Sequence, residues 1–110
     1  MKARYIQRGE SIDYTPTADV AAGDVVKIGN LVGVAKLDIK AGELGALALC
    51  GVYEIATAGA AIEAGAVVFV DPATGKVCAE GAAGAVKFGH AVAAVAATDT
   101  LVHVRLEQGL

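Results

Sequence analysis

One arrangement occurs three times in this 110-residue chain: Ala-Gly, one further residue, then an apolar run. It reads AAGDVVKI from Ala21, KAGELGALAL from Lys40 and EAGAVVFV from Glu63. Glycine reaches positive φ without steric cost, so Ala-Gly makes a tight turn that delivers the chain into a strand. The three copies lie about twenty residues apart but not at a fixed period, which argues against a solenoid. They read as similar strand entries in a meandering sheet. No stretch offers two clean helical turns with caps.

The strands can be placed from side-chain alternation. In Leu101–Leu106, Val102, Val104 and Leu106 point one way, and Leu101, His103 and Arg105 the other, which predicts a strand with one buried face. Gly29-Asn30 divides Val25–Ile28 from Leu31–Ala35 and predicts a hairpin. From Ala46 to Ile55 both faces are apolar: Leu47, Leu49, Tyr53 and Ile55 on one, Ala46, Ala48, Cys50 and Val52 on the other. That predicts a single strand covered on both sides. Pro16 holds Thr15 extended, so SIDYTPTAD is expected to be irregular or to lie at a sheet edge. The expected fold is all-β: a small barrel or sandwich of short antiparallel strands. It forms a single β domain over residues 1–110, with residues 1–20 an extended N-terminal arm or edge segment.

AIEAGAVVFVDPATGKV, residues 61–77, ends in a Gly-Lys that resembles a phosphate loop. Such a loop needs a glycine five positions before the second glycine, and Ser or Thr after the lysine for magnesium. Here those positions hold Val70 and Val77, and no helix follows to offer its N-terminus to a phosphate. Asp71-Pro72 opens a turn and Gly75 closes it, so Val67–Val70 and Lys76–Ala79 are expected to form a hairpin.

Composition limits what the chain does with these strands. Hydrophobic residues make up 55%, aromatics only 5%, and there is no Trp. Mean hydropathy is +0.57, above that of an ordinary soluble domain. A domain of this size buries only about two thirds of its unfolded surface, so some apolar area is expected to be covered by another chain in a homo-oligomer. The formal net charge of −3 argues against nucleic acid as a partner. Lys2, Arg4 and Arg8 form a local basic group, either a solvated strand end or a contact for an acidic partner. The most apolar run, AVKFGHAVAAVAA, contains Lys87 and His90 and is too short to span a bilayer, so no membrane association is expected. MKARYIQRGE has no apolar core of signal-peptide length, which predicts synthesis in the cytoplasm.

Reaction chemistry finds little support. Cys50 and Cys78 form no CxxC pair and sit in apolar stretches, so both are expected to be buried free thiols. His90, His103 and the two cysteines have no metal-ligand spacing. Ser11 is the only serine, and its neighbours are not a nucleophile elbow. Asp13, Asp19, Asp24, Asp38 and Glu43 fall beside turns, where carboxylates cap and solvate loops. No catalytic residue, cofactor site or metal site is assigned.

The segments MKARYIQRGESIDYTPTADVAAGDVV, LVGVAKLDIKAGELGALALCGVYEI, AIEAGAVVFVDPATGKV and HAVAAVAATDTLVHVRL, in that order, resemble a family of small phage and prophage head proteins known as capsid cement or decoration proteins. The resemblance covers nearly the whole chain and lies in the order of segments, with no catalytic signature to carry over. It implies a structural virion protein on the exterior of the capsid. Such a protein stabilises the expanded shell by bridging subunits of the major capsid protein, often as a homotrimer. On this reading the candidate capsid or subunit contacts are Lys2, Arg4, Tyr5, Ile6, Arg8 and Tyr14, with the arm adding a strand to a capsid sheet edge. The alternative for Arg4–Ile6 is that it forms the domain's own first strand. Two other functions remain open: a small glycan- or ligand-binding β module on the virion surface, and a carboxylate-based hydrolase. The first needs exposed aromatic platforms among Tyr5, Tyr14, Tyr53, Phe69 and Phe88; the second needs two carboxylates facing each other in a cleft.

Overall fold

The computed structural model describes residues 2–57 and 59–108. Among them are nine strands and no helix: β1 (Ser11–Tyr14), β2 (Val25–Ile28), β3 (Leu31–Ala35), β4 (Gly45–Ala48), β5 (Gly51–Ala56), β6 (Val67–Asp71), β7 (Lys76–Cys78), β8 (Val86–Ala91) and β9 (Leu101–Leu106). The fold is all-β. Strands β1–β4 form a four-stranded antiparallel sheet in the order β1-β4-β3-β2, and β5–β9 close into a barrel in the order β5-β7-β6-β8-β9. Closure removes the exposed edges that an open five-stranded sheet would present.

The barrel core follows from alternation. Val102, Val104 and Leu106 of β9 are buried while Leu101, His103 and Arg105 are exposed, as the sequence pattern predicts. Val68 and Val70 face them from β6, and Phe88 from β8 is fully buried, edge-on to Tyr53. In β8 the parity changes: Val86 and Phe88 point inward, then Ala91 does. A bulge shifts the β6–β8 register between Val68 and Phe69, so β8 carries one extra residue and its inward face is reset. Gly89 sits at this bend, where a Cβ would collide with the Arg105 carbonyl of β9. Only a residue without a side chain lets the two strands approach this closely.

The sheet packs on the barrel through one face. Val25, Val32 and Val34 join the barrel residues in a continuous apolar cluster. The opposite face holds a second, smaller cluster of Ala35, Ile39 and Leu47, with Ile12, Tyr14, Val20 and Val26 packed around it.

Both predicted hairpins form. Ile28 pairs with Leu31 across Gly29-Asn30. Asp71 pairs with Lys76, and the turn is closed by Gly75 N–H donating to the Asp71 carbonyl at 2.7 Å and Ala73 N–H donating to the Asp71 carboxylate at 3.0 Å. Gly75-Lys76 is thus a strand connection.

Two expectations are corrected. Ala46–Ile55 is not one strand. The chain leaves the sheet after Ala48, turns through Leu49-Cys50, and enters the barrel at Gly51, whose φ of +116° is open to glycine alone without strain. The apolar character of both faces arises because the two halves serve different cores: Leu47 the small cluster, Ile55 the barrel. Val52 and Glu54, on the other face of β5, are exposed. Cys50 is also not buried. It lies exposed at the crossing between the two sheets, whereas Cys78 is half-buried; both are free thiols.

Candidate binding surface

Residues 2–10 carry no secondary structure, and every one is exposed. Arg4–Ile6 is therefore not a strand; the first strand begins at Ser11 and lies at the edge of the sheet. Lys2, Arg4, Tyr5, Ile6 and Arg8 all lie on this exposed segment, where Arg8 makes a loose, exposed ion pair with Glu10 at 3.7 Å. Such a pair contributes little. The segment is anchored at its root: the Glu10 carbonyl accepts from Leu49 N–H at 2.8 Å. Tyr14 is set apart from the other five, half-buried on β1 against the small cluster.

A groove of about 420 Å³ opens beside this root. Its walls come from a divergence in the sheet. β3 pairs with β4 only at Val34–Ala48 and Ala35–Leu47. Beyond that point Lys36–Asp38 departs while β4 runs back through Ala46 and Gly45 to Leu44, and the groove lies between the two segments. Leu37 and Leu44 stand exposed at its rim, and Glu10, Asp38 and Glu43 line it opposite a single cation, Lys36. Cys50 also reaches it. Sequence reading missed this feature. The available signal was two leucines, Leu37 and Leu44, placed among turn residues, out of phase with any strand.

A second groove, about 440 Å³, lies on the barrel where β5 and β7 touch only at the parallel pair Ala56–Lys76. Phe69, Val77 and Cys78 line it. Burial raises the Cys78 thiol pKa above its ordinary value, and nearby Asp71 adds to the shift, so the thiol is held in its protonated, less nucleophilic form.

The barrel exterior carries two histidine–carboxylate pairs. His103 Nε2 lies 3.0 Å from Glu54 Oε2 across the β5–β9 ladder. His90 Nδ1 is hydrogen-bonded to Glu107 Oε2, and this bond holds the Glu107 carboxyl below its ordinary pKa. Each is an isolated pair on an outward face. Among the described residues no group of three His, Cys, Asp or Glu is placed to hold a metal ion. Of the five aromatic residues, Phe88 is fully buried, Tyr14, Tyr53 and Phe69 are half-buried, and only Tyr5 is fully open to a ligand.

The closed barrel, the appended four-stranded sheet and the exposed chain end beside an open groove define a class: a compact all-β module. A family model described as phage cement protein matches residues 6–106, and the chain belongs to that family of structural capsid proteins. No curated protein and no solved structure matches it.

Proposed function

We propose that the protein decorates the outside of a phage head and stabilises the expanded shell by bridging neighbouring subunits of the major capsid protein. It is made in the host bacterial cytoplasm and acts as a trimer. Membership in the phage cement family across residues 6–106 carries this reading. The physical arrangement agrees with it. A capsid repeats each contact by symmetry, so a small rigid module with modest individual contacts becomes an effective clamp. The exposed segment with Lys2, Arg4, Tyr5, Ile6 and Arg8 supplies both charge and apolar area for the shell or for a sister copy, and Tyr14 adds a ring at the sheet edge.

Co-sedimentation with purified heads tests the reading. The protein is expected to pellet with expanded heads and not with precursor shells, and to raise the temperature at which expanded heads release their DNA. Failure to bind expanded heads overturns it.

A further inference from the structure

We propose that the exposed segment of one copy, residues 2–9, lies in the groove beside β4 of a second copy of this chain. The two surfaces complement each other in three ways.

The first is apolar. Among the described residues, the four most exposed large hydrophobic side chains are Tyr5 at 79%, Leu37 at 77%, Ile6 at 76% and Leu44 at 70%. Two stand on the segment and two at the rim of the groove. Exposed apolar side chains that cluster, as Leu37 and Leu44 do on the groove and Tyr5 and Ile6 on the segment, mark a surface that another chain covers. Here each pair supplies what the other lacks.

The second is charge. The segment carries Lys2, Arg4 and Arg8. The groove carries Glu10, Asp38 and Glu43 against Lys36. On a chain of net charge −3, a basic end beside an acidic groove selects one docking surface and steers the encounter.

The third is reach. Fully extended, eight residues reach at most about 28 Å, comparable with the 33 and 23 Å shorter dimensions of the molecule. All eight are exposed, and apart from the loose Arg8–Glu10 ion pair none touches its own groove. The groove lies beside the segment's own root at Glu10. A segment passed to the next copy therefore leaves that copy's segment free to continue to a third. Such a head-to-tail contact closes into a ring when the rotation between copies is cyclic. The proposal specifies the self-contact within the capsid reading but is tested in free protein, without heads.

Cys50 makes the test direct, because it is exposed, free and part of the groove. In full-length protein carrying Cys78→Ala, Ile6→Cys is introduced and the sample is oxidised mildly. Covalent dimers and higher multiples that collapse on reduction are expected, and they disappear when Cys50→Ala is added. Arg4→Glu is expected to slow cross-linking at least tenfold at low salt, and Glu43→Arg in the same chain to restore it. A cysteine at Val92, exposed on the barrel, provides the collision-limited rate. Three results overturn the proposal: cross-linking from Ile6→Cys no faster than from Val92→Cys, a disulfide formed only within one chain, or a rate insensitive to both charge changes. Head binding without cross-linking leaves the capsid reading standing and removes this contact. Cross-linking without head binding does the reverse.

Discussion

The four-stranded sheet and the barrel are entered by the same device and stabilised differently. In the sheet, Val20 and Ile39 exchange both backbone hydrogen bonds at 2.8 Å; in the barrel, Ile62 and Val95 do so at 3.0 and 2.9 Å. Each of the four residues opens a tight turn closed three residues on: Asp24 to Ala21, Glu43 to Lys40, Ala66 to Glu63 and Asp99 to Ala96, all at 3.0–3.1 Å. After the first turn of each half, the chain is bracketed alike. Gly23 and Asp24 exchange backbone bonds with Ala35, and Gly65 and Ala66 with Ala91.

The difference lies one residue before each bridge. In the sheet these residues are Asp19 and Asp38, and each carboxylate accepts from the opposite turn: Asp19 from Ala41 N–H at 2.9 Å, Asp38 from Ala22 N–H at 2.8 Å. In the barrel the corresponding residues are Ala61 and Ala94, which offer no acceptor. The half with only three residues in its own buried cluster carries reciprocal polar staples. The half with a large apolar core goes without them. Side-chain hydrogen bonds and apolar burial substitute for one another in holding equivalent turns.

Three measurements probe this contrast. Phe88→Ala is expected to cost about 3–5 kcal/mol, read from denaturant unfolding. Because Val25, Val32 and Val34 of the sheet belong to the barrel's cluster, one cooperative transition is expected to shift as a whole. Two separate transitions would show that the halves are independent and break the comparison. Asp19→Ala and Asp38→Ala are each expected to cost about 0.5–1 kcal/mol and to raise amide exchange at Ala41 and Ala22 respectively. Ala61→Asp, placed at the equivalent site in the barrel, is the converse change and is expected to alter stability less than Asp19→Ala does; a gain as large as the Asp19→Ala loss would show that apolar burial does not stand in for the staples.

The smallest effect concerns acid. The hydrogen bond from His90 depresses the Glu107 pKa below 4.5. A depressed carboxylate stabilises the fold above its unfolded pKa and loses that contribution as pH falls through its folded value. Glu107→Gln is thus expected to remove a small part of the acid-side decline below the ordinary carboxylate range. An identical acid limb in both proteins would show that the pair is not coupled to folding.

Much of the fold is legible in residue order. Alternation marks β9, and turn residues mark the β2–β3 and β6–β7 hairpins. Three of the four bridge-and-turn entries announce themselves by Ala-Gly. The fourth, Val95–Asp99, was hidden because it makes the same turn without glycine; its Asp99 carboxylate accepts from Ala96 N–H at 2.8 Å, as that of Asp24 does from Ala21 N–H at 2.9 Å. The groove was hidden for a different reason. It exists only where β3 and β4 separate, and no local pattern reports a separation between two strands.

By itself, then, the sequence determined β9, the β2–β3 and β6–β7 hairpins with their turns, the absence of a phosphate-loop motif and the resemblance to capsid cement proteins, since each depends on neighbouring side chains or on segment order. Tertiary structure alone decided that Ala46–Ile55 divides between two sheets, that Cys50 faces solvent, and that a basic, apolar chain end departs beside an acidic, apolar groove. Those outcomes depend on which distant segments come to lie together, and an apolar residue reads the same whichever core receives it.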